Sequence, residues 1–269
     1  MGSAMLAGWR EQGLEASFAV DPAPSAAAFA GHDMTVVTDP GAIPDRFSPA
    51  AVVLAVKPQN AAATLPAYAR FAGRAVFLSI MAGRTIAGIS ALLNPPAAAG
   101  SPGSLTARGP AAAIVRAMPN TPAAVRQGVT VACPGPGVDD AQRTLCDRLL
   151  QTIGSVAWAE QEALLDPVTA VSGSGPAYVF LLAELMERAA IEQGIPADLA
   201  RLLARKTVAG SGALLAASPD NAAELRRAVT SPGGTTAEAL AVLMAPDAWP
   251  ASLSRAIAAA TQRSRQLAG

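Results

Sequence analysis

Histidine is nearly missing from this chain and aromatic residues are scarce. One His and two Cys stand among 269 residues, and aromatics make up 4%. A structural zinc site needs about four N or S ligands. Cys133, Cys146 and His32 supply three at most, so no metal site is expected. His32 lies in a polar turn, Gly31-His32-Asp33, and reads as an exposed loop residue. A histidine-based triad is therefore not expected. Two cysteines make no disulfide framework, and a cytoplasmic location is the default. Lys+Arg and Asp+Glu balance at 20 each, without the basic excess of a nucleic-acid binder. No uninterrupted apolar run reaches the roughly 18 residues of a membrane span. Met1–Arg10 lacks the basic start and long apolar stretch of a signal peptide.

With 51% hydrophobic residues the chain is not disordered as a whole. Few aromatics and many alanines imply a core of small, closely packed elements, and Ala has the best helix propensity. In the first half, short apolar runs alternate with helical stretches. The runs are 17–20, 34–37, 51–56, 74–80, 112–118 and 128–132. Apolar runs without alternation suit strands covered on both faces, and strands alternating with helices predict a parallel, doubly wound sheet. Residues 94–110 are rich in Pro, Ala, Gly and Ser and read as an unstructured loop. After about residue 154 the pattern becomes helical, with stretches at 175–194, 196–217, 221–229, 235–244 and 248–266. The expectation is an α/β, doubly wound domain over 1–155 and an all-α domain over 156–269. Several of the later helices are apolar on more than one side. Core within the domain and burial against another subunit both account for that.

Ligands of α/β sheets bind beyond the carboxyl ends of the strands. Ala55-Val56-Lys57-Pro58 and Ile80-Met81-Ala82-Gly83 end two of the runs with small residues that let a flat cofactor approach, although a plain strand-to-loop turn explains each equally well. Met118-Pro119-Asn120-Thr121-Pro122 is a rigid turn with two polar groups held between prolines. Ser172-Gly173-Ser174-Gly175-Pro176-Ala177-Tyr178 opens a long helix, and Ser231-Pro232-Gly233-Gly234-Thr235-Thr236 opens a later one. Both are helix starts suited to a negative group. Capping alone explains either, but Gly-Gly followed by Thr-Thr exceeds what a cap needs.

Taken in order, residues 55–58, 118–122, 172–178 and 231–236 resemble the pyrroline-5-carboxylate reductase family, as do Gly194, Thr207 and Gly210 between them. The resemblance spans nearly the whole chain. It implies a Rossmann-like N-terminal domain, a C-terminal dimerisation domain, and homodimers that assemble into a larger ring. It also implies reduction of 1-pyrroline-5-carboxylate to L-proline with NADPH or NADH, the last step of proline synthesis, with no nucleic-acid or membrane partner. A reductase of a related cyclic imine acid and a truncated, non-catalytic helical oligomer are the alternatives. The family opens with a strand and a Gly-x-Gly-x-x-Gly turn, of which Met1-Gly2 matches only the end. An N-terminally incomplete dinucleotide domain is therefore expected.

The site implied by the resemblance follows residue by residue. Met1, Gly2, Asp21, Ala55, Val56, Lys57, Pro58, Ile80, Met81, Ala82 and Asn120 fall at cofactor positions. Asp21 favours NADH through the ribose 2′-hydroxyl and Ser25 suits a 2′-phosphate, so the choice stays open. Ser231, Gly233, Gly234 and Thr235 fall at substrate positions, with the backbone N–H groups of Gly234, Thr235 and Thr236 expected to hold the carboxylate, and Ser174 and Gly175 close the pocket. Thr236 places its hydroxyl near the imine nitrogen. Glu162 falls at a substrate-side carboxylate that favours the protonated iminium.

Overall fold

The computed structural model describes residues 1–94 and 111–268. The expected loop at 94–110 therefore lies, apart from Asn94, outside the described residues. Two compact units emerge: residues 1–173 together with 261–269, and residues 174–260. The units divide later than residue 155 because the segment after it packs back on the sheet, with Leu165 fully buried.

In the first unit the order is α1 (Gly2–Glu11), β1 (Ser17–Val20), β2 (Met34–Val37), β3 (Ala51–Leu54), α2 (Ala61–Thr64), β4 (Val76–Ser79), α3 (Ile86–Leu93), β5 (Ala113–Met118), β6 (Gly128–Pro134), α4 (Asp140–Gln151), β7 (Gly154–Trp158) and α5 (Leu165–Val168). Strands β1 and β2 pair in parallel with each other. The other five form a sheet in the order β3-β4-β5-β6-β7. All six predicted apolar runs are strands, and the Rossmann-like class holds. The sheet departs from the all-parallel expectation at one pair, since β5 and β6 run antiparallel. Their connection, residues 119–127, is shorter than the roughly dozen residues a parallel crossover needs. The seventh strand, β7, was not expected. It is an edge strand with half-buried Gly154, Val156 and Trp158 alternating with exposed Ser155 and Ala157, so it carries no continuous apolar run.

Successive side chains of a strand point to opposite faces, and both faces are covered here. Phe77 and Ile114 join Ala61, Leu65, Ile89 and Leu93 on one side. Val76, Leu78 and Val115 join Met5 of α1, Cys146 and Leu150 of α4, and Ile153 on the other. Helix α4 starts on a capping box in which Asp139 and Gln142 satisfy each other's backbone N–H groups. Where β7 begins, Gly154 sits at φ +141° against Gly128 of β6, and a Cβ there would collide with the Gly128 carbonyl.

The second unit is helical: α6 (Gly175–Glu192), α7 (Ala197–Ala217), α8 (Ala222–Ala228), α9 (Thr235–Leu243) and the first part of α10 (Trp249–Ala268). Helices α6 and α7 pack together, and Arg201 of α7 reaches Glu187 of α6 at 3.2 Å. Asn221 and Glu224 form a second capping box at the start of α8. No residue of α6 is buried, and only Ala200 and Ala204 are in α7. Phe180, Leu202 and Val242 stand 67%, 53% and 71% exposed. The apolar faces of these helices are thus not core within their own chain. By length and composition the helical run Glu162–Glu192 matches a membrane span, although it holds no uninterrupted apolar stretch of that length. It is broken by a π turn at Thr169–Gly173 and carries Asp166, Glu184, Glu187 and Arg188.

Candidate active site

The expected cofactor residues of the first unit sit at the ends of β1, β3, β4 and β5. Ala55–Pro58 follow β3, Ile80–Ala82 follow β4, and Asn120 follows β5. Helix α1 brings Gly2 beside them, where a Cβ would lie 3.4 Å from the Ala55 Cβ. Met1 occupies the N-cap of α1 without a side-chain cap. The Ala4 N–H donates to the Met1 carbonyl at 3.0 Å, and a helix start of this kind favours an anion. A helix start without bulk beside a small-residue strand end fits a dinucleotide pyrophosphate.

Three of these residues have further roles. Met81 is 2% exposed with its side chain in the core, so the side chain itself is not available to a ligand. Asn120 is nearly buried, and its Oδ1 accepts from the Val129 N–H at 3.0 Å, fastening the start of β6. Asp21, exposed at the end of β1, accepts from the Ala23 N–H at 2.8 Å in a local turn.

Glu162 has a defined environment. Its Oε1 accepts from the buried Arg116 guanidinium of β5 at 2.9 Å and from the Ile86 N–H, the first residue of α3, at 2.8 Å. Part of its charge is therefore committed within the chain. Cys133 lies opposite Arg116 across β5 and β6. Burial, with the Glu162 charge adding to it and Arg116 opposing, pushes the Cys133 thiol above its ordinary range. Nearby, Ser172 in the π turn holds a buried hydroxyl with no hydrogen-bond partner among the described residues. An apolar cavity of about 490 Å³ lies beside it, lined in part by Val131, Trp158, Leu164 and Val168.

The substrate candidates belong to the helical unit. Ser231–Gly234 make a tight turn with Gly233 at φ +68°, closed by the Gly234 N–H on the Ser231 carbonyl at 3.0 Å. The positive φ makes glycine the suited residue at 233, whereas a Cβ on Gly234 would meet the Ser231 Oγ, which can turn aside. Thr235 and half-buried Thr236 are the first two residues of α9, whose N-cap Gly234 supplies no side-chain cap. Ser174 is the N-cap of α6, again without a side-chain cap bond, and Gly175 follows it. Sequence reasoning missed Arg84, whose Nε and Nη2 both donate to the Pro58 carbonyl at 3.1 and 2.8 Å. It also missed Arg116, although a single charge inside the apolar run Ala113–Met118 was a signal that a partner had to exist.

A Rossmann-like sheet covered on both faces is thus followed by an all-α unit whose apolar faces lie exposed. A family model described as pyrroline-5-carboxylate reductase dimerisation matches residues 162–267. A pyrroline-5-carboxylate reductase of Pseudomonas aeruginosa is 37% identical over 273 residues, spanning 100% of this chain and 93% of that protein. The solved pyrroline-5-carboxylate reductase of Coxiella burnetii superposes with a TM-score of 0.84 at 28% identity, covering 100% of this chain and 95% of that one. The Plasmodium falciparum pyrroline carboxylate reductase, solved with NADP bound, shares the fold with a TM-score of 0.77 at 24% identity, over 100% and 95% of the two chains. The chain belongs to the pyrroline-5-carboxylate reductase family.

Proposed function

We propose that this chain reduces 1-pyrroline-5-carboxylate to L-proline with NADPH or NADH, completing proline synthesis in the cytoplasm, as a homodimer that assembles into a larger ring. The observation that carries the substrate is the start of α9. The Ser231–Gly234 turn leaves the first N–H groups of α9 without a side-chain cap, an arrangement that suits a carboxylate.

When bound, the dihydronicotinamide supplies the hydride. The backbones of Gly2, Ala55–Pro58 and Ile80–Ala82 hold the dinucleotide, Asp21 contacts its ribose, and Asn120 offers its amide N–H on the nicotinamide side. The backbone N–H groups of Thr235 and Thr236 hold the substrate carboxylate, while the Gly234 N–H closes the turn on the Ser231 carbonyl. The Thr236 hydroxyl donates to the imine nitrogen, which concentrates positive character on the carbon that is reduced. Ser174 and Gly175 contribute to the substrate pocket. Glu162 is a weaker candidate for direct charge stabilisation, because Arg116 and the Ile86 N–H already claim Oε1. Rate enhancement then comes mostly from positioning.

The test is direct. The purified chain is given 1-pyrroline-5-carboxylate and its six-membered homologue with each nucleotide, following dihydronicotinamide absorbance and proline formation. Proline produced at the five-membered ring's advantage supports the reading. Preference for the six-membered ring, or no oxidation of either nucleotide, overturns it.

A further inference from the structure

The loop between β4 and α3, residues 80–85, is fastened on three sides by segments distant in sequence. Arg84 forks onto the Pro58 carbonyl and ties the end of β4 to the end of β3. Ile86, directly after the loop, donates its N–H to Glu162. Gly83, at φ +67°, lies so close to the last helix that a Cβ there would be 3.2 Å from both the Cβ and the carbonyl oxygen of Leu267. Two of these three fasteners are the outermost residues of the segment matched to the family's dimerisation region, 162 and 267. The two ends are also joined to each other, since the buried Ser264 hydroxyl donates to Asp166 at 2.7 Å.

We propose that the two ends of the dimerisation segment, clasped by the Ser264–Asp166 hydrogen bond and pressed on Gly83 and Ile86, set the shape of the β4–α3 loop and thereby the chain's affinity for its dinucleotide. This rests on the reading of Ile80–Ala82 as cofactor-binding backbone. The loop offers backbone groups, so its affinity depends on shape. Gly83 has no side chain to hold that shape and moves freely between backbone conformations, so the loop takes the shape set by what packs on it. The coupling is reciprocal: whatever orders the ends of the segment strengthens dinucleotide binding, and bound dinucleotide steadies those ends. Ser264 and Asp166 are then positioning residues, acting through the loop without touching a ligand.

The experiment uses the full chain and Ser264→Ala, with Ser264→Thr as the variant that keeps the hydroxyl. Hydrogen exchange over residues 80–86 is followed without nucleotide, and the Kd for NADPH and NADH is read from nicotinamide fluorescence. Ser264→Ala removes one hydroxyl from a folded helix. It is expected to speed exchange in the loop and to raise Kd about fivefold, with kcat at saturating nucleotide unchanged and Ser264→Thr close to the original chain. Glu162→Ala, which frees the Ile86 N–H, should speed the same exchange. Loop exchange and Kd that stay constant in Ser264→Ala overturn the proposal. If the unaltered chain binds neither nucleotide, the cofactor reading fails instead, and the exchange measurement alone decides whether the segment ends shape the loop.

Discussion

Arg116 and Glu162 form an ion pair of 2.9 Å in which the arginine is 4% exposed and the carboxylate 27%. Arg116 sits in the central sheet and Glu162 just after the last strand, so the pair locks strand β5 to the segment that leads into the helices. The same carboxylate oxygen caps α3.

Removing either partner of this pair destabilises the chain unequally. Glu162→Gln leaves a buried cation without its counter-charge, which costs about 3 kcal/mol. Arg116→Met leaves a carboxylate that still reaches solvent and still caps α3, so the loss is smaller. Urea denaturation of both variants checks the order. A larger loss in Arg116→Met would show that packing of the arginine stem outweighs its charge.

Thr236→Val keeps the shape of the side chain and removes its hydroxyl. With Thr236 donating to the imine nitrogen, kcat falls about 100-fold, as on loss of one aimed donor, while the thermal midpoint changes little. Steady-state kinetics beside a melting curve separates the two. Turnover near that of the unaltered chain would remove Thr236 from the chemistry.

Among the glycines of the sheet, Gly154 has the least room for a methyl group, which makes Gly154→Ala a severe change. The residue sits at φ +141° against the Gly128 carbonyl, so an added Cβ must push β7 away from β6. The expected loss is about 4 kcal/mol, read by denaturation or by failure to accumulate soluble chain. The same change at exposed helix positions costs far less.

Asp33 gives stability an acid limb. Hydrogen bonding from Arg10, with Nε 2.8 Å from Oδ2, holds the Asp33 carboxyl below its ordinary value of 3.8. A carboxyl depressed in the folded chain adds stability above its unfolded value, and that contribution disappears as pH falls through the folded one. Asp33→Asn therefore melts lower than the original chain at pH 7, and the gap closes below about pH 3.8. A gap constant with pH would count against the ion pair.

Cys146 limits the alkaline side. Burial pushes its thiol from 9.0 up to about 12. The unfolded chain gives up that proton first, so stability declines as pH rises from about 9 to about 12. In the native chain the thiol resists alkylation at pH 8, and urea exposes it, as mass spectrometry of iodoacetamide-treated chain will report.

The six apolar runs and the five later helices were legible in the sequence because burial on both faces and helical periodicity leave strong local patterns. The Gly-rich helix starts at 172–178 and 231–236 were legible for the same local reason, since glycine and a capping residue act on their own backbone. The seventh strand escaped because an edge strand needs no apolar run. The reversal of β6 was decided by the length of the 119–127 connection together with its partner.

By itself the sequence determined the two-part plan, the family and the residues at strand ends and helix starts, because each of these depends on neighbours a few positions away. Only the tertiary structure decided what joins them. Arg116 found Glu162, Arg84 found Pro58, Gly83 met Leu267 and Ser264 met Asp166 across long stretches of chain. A buried charge or hydroxyl must have a partner, but its own sequence position does not specify which one. The packing of the sheet and the return of the last helix make that choice.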